Sequence, residues 1–223
     1  MKQKLEAVLF DMDGLIFDTE IIHRHCWKLA GQSFEYEVND DFFKRCTATT
    51  GEKTLALLSE LYGSHCPAES FYQHKKELFQ DYINSHPTQT KAGFTELFQW
   101  LQSQPVKIGL VTSSRLTSVK HHFADRDEFE SFETVITAEQ VTQGKPDPEP
   151  YLMACKKLGV TPSEAVVFED SNNGARSAFN AGCHAIMVPD YLPPEDDVQK
   201  HAFAILNSLK DARALLSEQF QMN

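Results

Sequence analysis

Residues 6–18 read EAVLFDMDGLIFD, and this stretch decides how the rest of the chain is read. Residues 6–10 form a short apolar run with no polar alternation, cut off by Asp11, Asp13 and Gly14. That pattern predicts a strand buried on both faces that stops at a loop. Working outward, similar runs recur at 107–112 (KIGLVT), 134–137 (TVIT), 165–168 (AVVF) and 185–188 (AIMV). Stretches with helical spacing separate most of them, and strands alternating with helices predict an α/β fold with a parallel sheet.

Between the first two runs lie residues without a strand signal. Residues 19–30, 52–62 and 69–83 carry apolar positions at helical spacing, with Leu55, Leu58, Leu61 and Tyr62 on one stripe of the second. Residues 17–87 therefore read as an inserted helical subdomain, and residues 1–16 with 88–223 as the sheet-bearing domain. A helix at 93–102 returns the chain to the sheet, residues 189–197 (PDYLPPEDD) read as loop, and 207–220 as a closing helix.

Composition narrows the function. The 223 residues are 41% hydrophobic and 24% charged, the balance of a folded globular chain. A formal charge of -11 has the wrong sign for a general nucleic-acid binder. The five cysteines (Cys26, Cys46, Cys66, Cys155, Cys183) are scattered and never in a CxxC pair, which speaks against a disulfide framework or a thiolate zinc site. No run approaches the roughly 18 apolar residues of a membrane span, and acidic residues arrive too early for a signal peptide. The expectation is a cytoplasmic protein that binds a small ligand or metal ion, with neither nucleic acid nor membrane as partner.

In an open parallel sheet, ligands bind at the carboxyl ends of the strands. Asp11 and Asp13, two apart in extended backbone, point the same way and repel unless a cation neutralises them or one keeps its proton. The plainer reading is turn chemistry. The second strand ends in Thr112, Ser113 and Ser114 ahead of a helix from about residue 116, a place for a phosphate or simply a helix cap. Lys145 opens KPDPEP; alone, it reads as a solvated loop lysine. The fourth strand ends in Glu169 and Asp170, oxygen ligands suited to a hard ion such as Mg²⁺, while Asn172, Asn173 and Gly174 read as the turn and cap of the next helix.

These four signals fall at strand ends that one crevice can collect, and together the sequence resembles the haloacid dehalogenase superfamily of phosphohydrolases. DMDG at 11–14, Thr112 after its strand, Lys145 in GKPDP and FEDSNNG at 168–174 match its four motifs. Within it, VTSSR at 111–115 and VFEDSNNG at 167–174 look most like the beta-phosphoglucomutase-like branch, which includes pseudouridine 5'-phosphatase-like proteins. The resemblance implies a Rossmann-like parallel sheet with helices on both faces and an all-helical cap. It further implies a phosphatase of small phosphomonoesters, sugar phosphate or nucleotide-like. Mg²⁺ would sit between Asp11, the backbone carbonyl of Asp13 and Asp170, with Glu169 holding a coordinated water. Asp11 would be the nucleophile and Asp13 the general acid and base, while Thr112, Ser113 and Lys145 hold the phosphoryl oxygens.

Other residues receive plainer readings. His23 and His25, two apart on a helix, face different ways and make a poor zinc pair. Arg45, Lys53, Lys75 and Lys76 read as surface charge, and Trp27 and Trp100 as core. One rival function is a phosphomutase, whose cap grips a second phosphate with two basic residues around a glycine. Here residues 45–51 (RCTATTG) put Cys46 in the glycine's place and threonines where the second basic residue would stand. A second rival is a non-catalytic binding module, for which a lost nucleophile is the expected mark; Asp11 and Asp13 are both present. Oligomeric state leaves no trace in the sequence.

Overall fold

The computed structural model describes residues 2–46 and 51–222. The chain separates into two compact units, one comprising residues up to Asp18 and from Gln89 onward, the other Thr19–Thr88.

The first unit carries strands β1 (Gln3–Leu5) and β2 (Ala7–Phe10) ahead of the inserted unit. The insertion holds helices α1 (Thr19–Ser33), α2 (Asp40–Cys46), α3 (Gly51–Tyr62) and α4 (Ala68–Ser85). After it come α5 (Phe94–Gln102), β3 (Lys107–Val111), α6 (Leu116–His122), β4 (Thr134–Ile136), α7 (Glu149–Leu158) and β5 (Ala165–Glu169). The chain closes with α8 (Asn172–Asn180), β6 (His184–Met187), α9 (Asp196–His201), β7 (Ala204–Ile205), α10 (Ala212–Gln219) and β8 (Phe220–Met222).

The main sheet is parallel throughout, in the order β4-β3-β2-β5-β6-β7. β2 is thus central, with the chain winding to one side through β3 and to the other through β5, which makes its carboxyl end the switch point. Register levels the three strands: Phe10 pairs with Leu110 on one side and Phe168 on the other. Both faces are covered. Val8, Phe10, Val166 and Phe168 pack with Phe94, Leu97, Phe98 and Leu101 of α5 and Leu216 of α10. Ala7, Leu9, Ala165 and Val167 pack with Tyr151, Ala154, Cys155 and Leu158 of α7 and Ala178 of α8. Burial on both faces is why these strands read as unbroken apolar runs.

The inserted unit is helical. Ile22 and Cys26 of α1 pack on Ile83 of α4, and Trp27 is buried edge-on to Phe42 and Phe71. On α3 the buried residues are Thr54, Leu57 and Leu58, so the stripe expected to begin at Leu55 is rotated by part of a turn. The expected closing helix is shorter than 207–220, because Leu209–Asp211 form a tight 3-10 turn ahead of it and Phe220 already starts β8, which pairs with β1 in a separate two-stranded parallel sheet. β1, β7 and β8, of two or three residues each, carry too few positions to show a period. Trp100 is partly buried on the α5 cluster with Arg213 over its ring.

Candidate active site

Asp11 lies one residue beyond the Phe10 pairs, its N–H donating to the Phe168 carbonyl at 3.0 Å. By strand alternation it continues the face of Ala7 and Leu9, the α7 side, and Glu169 continues the face of Ala165 and Val167. Lys145, from the loop before α7, reaches both carboxylates. Its Nζ donates to Asp11 Oδ1 at 2.5 Å and to the Val111 carbonyl at 2.9 Å, and pairs with Glu169 Oε1 at 2.6 Å. Its side chain is only 7% exposed, so the solvated-loop reading of Lys145 fails once β3 and β5 bring their ends together. Tyr151 on α7 donates its hydroxyl to Glu169 Oε1 at 2.5 Å, and Ser171 reaches Glu169 Oε2 at 3.3 Å.

Asp11, Glu169 and Asp170 each place an oxygen within 4.8 Å of the others. Burial pushes the Asp11 carboxyl up to about 8, against the pull of Lys145, with Glu169 and Asp13 adding to the rise. Burial, then Asp11, Glu169 and Asp190, hold the Asp170 carboxyl well above the usual carboxylate range. Lys145 moves the other way: burial works against its charge, but Asp11 and Glu169 outweigh that and raise it. One ammonium thus faces three carboxylates. The donor set, all oxygen and in mutual repulsion, fits a hard divalent ion, which relieves the repulsion that burial creates.

Gly14 makes this convergence possible. Its φ of +80° is one that L side chains rarely adopt, and a Cβ there would lie 2.3 Å from Asp170 Oδ2. Asp13 takes a different partner: Ser114 Oγ donates to its Oδ2 at 2.6 Å. Thr112 is buried and its Oγ1 accepts from the Ser114 N–H at 3.0 Å, while Ser113 between them is exposed. Ser171 caps α8 by accepting from Gly174 N, and Asn172 ties down the loop of Pro193 and Glu195, so the cap falls on Ser171 and residues 172–174 form the first turn of the helix.

The sequence profile of a family described as haloacid dehalogenase-like hydrolases matches residues 8–188. The chain belongs to that family. The hydrolase is 29% identical over 216 residues to a Thermotoga maritima phosphorylated carbohydrates phosphatase, covering 95% of this chain and 90% of that one. It is 27% identical to a Bacillus subtilis beta-phosphoglucomutase, with 85% of each chain covered. A crystal structure of a family IA, variant 3 hydrolase from Entamoeba histolytica superposes with a TM-score of 0.77 at 26% identity, covering 93% of this chain and 95% of that one.

In the inserted unit of the hydrolase, the basic residues sort by surroundings. Lys75 is buried, which overturns its reading as surface charge: its Nζ lies 2.6 Å from His23 Nδ1 and over the rings of Trp27 and Phe79. His23 stacks on Phe79 while His25 meets Tyr82, so the two histidines go to different partners. Arg45 bonds Glu60 at 2.7 Å, and Lys53 and Lys76 are exposed. Residues 47–50 of the phosphate-grip comparison lie outside the described residues. Sequence reasoning passed over Tyr151, Lys91, Asp190 and the Ser114–Asp13 bond. The signal for Ser114 was its hydroxyl at a strand end; the others carry none. Among the described residues no helix is long and apolar enough to cross a membrane.

Proposed function

We propose that the hydrolase removes the phosphoryl group from a small phosphorylated carbohydrate or nucleotide-like monoester through a phosphorylated Asp11. Its family and its phosphatase relatives make it a phosphoric monoester hydrolase. The observation that carries the finer reading is Asp11 at the end of the central strand, held by Lys145 at 2.5 Å beside Glu169 and Asp170. Lys145 fixes one oxygen of Asp11, offsets its charge and leaves the other oxygen to attack phosphorus. That attack forms an O–P bond on Asp11 and breaks the bond to the substrate's ester oxygen.

Asp13 in its protonated form gives its proton to the departing alkoxide. The resulting carboxylate then takes a proton from the water that cleaves the phosphoryl group from Asp11. Ser114 sets the direction of the Asp13 carboxylate. Lys145, the Thr112 hydroxyl and the Ser113 backbone hold the phosphoryl oxygens. Asp11, Asp170 and the Asp13 carbonyl would hold Mg²⁺, with Glu169 behind it through water. Bound there, the ion supplies charge neutralisation for the phosphoryl oxygens and for the crowded carboxylates.

The test is phosphate release from a panel of phosphomonoesters with Mg²⁺, joined to trapping of the phosphoenzyme. Asp11→Asn is expected to abolish trapping. Asp13→Asn should keep Mg²⁺ binding yet lose about 10²- to 10⁴-fold in turnover. Phosphate trapped on another residue overturns the assignment. The similarity to a mutase keeps a second reading open to measurement: supplied with a hexose 1-phosphate and catalytic bisphosphate, a phosphatase releases free phosphate faster than it forms hexose 6-phosphate.

A further inference from the structure

Asp190 stands three positions after β6, in the stretch 189–197 that reads from sequence as loop. Its Oδ1 accepts from Lys91 Nζ at 2.5 Å. Its Oδ2 is buried and has no hydrogen-bond partner among the described residues. The backbone of Gly14 shows where that oxygen lies. A Cβ on Gly14 would meet Asp170 Oδ2 at 2.3 Å and Asp190 Oδ2 at 3.2 Å, so two carboxylate oxygens from different loops converge on the same bare glycine.

A buried acceptor left without a donor costs about 1 to 3 kcal/mol, more when charged, and a like charge nearby adds to that. Lys91 does not relieve it, because its ammonium meets Asp190 through Oδ1 and turns its other contact, at 3.5 Å, to Asp18 Oδ1. A plain surface ion pair would leave its second oxygen in water. Here that oxygen faces Asp170, one of the three carboxylates that can share a cation.

We propose that Asp190 is a further residue of the metal site, holding a water of the cation's coordination shell through Oδ2 while Lys91 fixes its orientation through Oδ1. The proposal rests on the reading in which Asp11, Asp170 and the Asp13 carbonyl hold the cation and Glu169 stands behind it through water. Water beside a divalent ion is a strong donor, and an outer carboxylate that accepts from it both orders the shell and spreads the negative charge. Lys91 is well anchored for this task. Its backbone N–H donates to the Ile16 carbonyl at 2.8 Å, and the Asp18 N–H donates to the Gln89 carbonyl at 3.0 Å. The ammonium therefore stands on the paired segments by which the chain leaves the sheet unit and re-enters it.

The experiment is calorimetric titration of Mg²⁺ into the metal-free protein without substrate, for the parent, Asp190→Asn, Lys91→Met, Lys91→Arg and Asp170→Ala, with the unfolding midpoint of each metal-free protein measured alongside. Asp190→Asn keeps the shape of the side chain and is expected to bind Mg²⁺ about 10- to 100-fold more weakly. Lys91→Met should weaken binding by a smaller factor, and Lys91→Arg should restore it. Asp170→Ala should lose binding altogether. Mg²⁺ affinity unchanged in Asp190→Asn, whether or not its metal-free midpoint falls, overturns the proposal and leaves the reading of the site standing. A parent protein that takes up no Mg²⁺ overturns both.

Discussion

Lys145 and Lys75 are both buried ammonium groups, and the balance between burial and neighbouring charge moves them in opposite directions. Asp11 and Glu169 outweigh burial at Lys145 and strengthen its hold on the proton. At Lys75 burial dominates and lowers the ammonium to about 8, with His23 and two aromatic faces as its close company. In the unfolded chain Lys75 returns to 10.5, so between those values the unfolded state binds more protons and folding gains stability as pH rises. Below about 8 the full cost is present, at most about 3 kcal/mol for a shift of this size. Lys75→Met should therefore stabilise the protein at pH 7 by about 1 to 3 kcal/mol, an advantage that shrinks toward pH 10. Denaturant unfolding at the two pH values checks it. None of this was legible at the residue. Lys75 and Lys76 are adjacent and identical in type, and only the packing of α1 on α4 decides which one is buried.

At the scale of elements, β2, β3 and β5 were legible because burial on both faces leaves an apolar run that ends abruptly in acids or hydroxyls. What a sequence pattern does not contain is the distance between one element and the side chains of the next. Gly174 in the first turn of α8 illustrates it: a Cβ there would lie 1.9 Å from the Glu169 carboxyl, so α8 can seat against β5 only with a glycine. Gly144, in the loop before Lys145, has nothing within 4 Å of such a Cβ. Gly174→Ala should cost about 1 to 3 kcal/mol and loosen the Glu169 bonds to Lys145 and Tyr151, whereas Gly144→Ala should be near neutral. Paired thermal unfolding of the two variants decides this. Equal midpoints would mean that α8 shifts freely on the sheet.

For the whole molecule, the crowded carboxylates couple folding to pH and to metal. Asp11 binds its proton with a pKa of about 8 when folded against 3.8 unfolded, so its contribution to stability is complete below about 4 and is lost as pH rises through 8. Metal-free protein should lose thermal stability over that range. Mg²⁺ at a hundredfold excess over its Kd at pH 8 should restore about 2.7 kcal/mol, and the same Mg²⁺ concentration should restore less at pH 5, where protons compete. Scanning calorimetry with Mg²⁺ and with chelator checks the sign; a larger gain at pH 5 would place the ion elsewhere. The sequence by itself determined the parallel sheet, the helical insertion and the family, and it marked candidate residues in the segments that follow the strands, because burial periodicity and chain order are local properties that survive in one dimension. Tertiary structure alone decided that Lys145 bridges Asp11 and Glu169, that Ser114 serves Asp13, that Lys75 is interior and that Asp190 turns toward Asp170. Each of those depends on the register of β2 between β3 and β5 or on helix packing, which bring together groups far apart in the chain and set the electrostatics of the site.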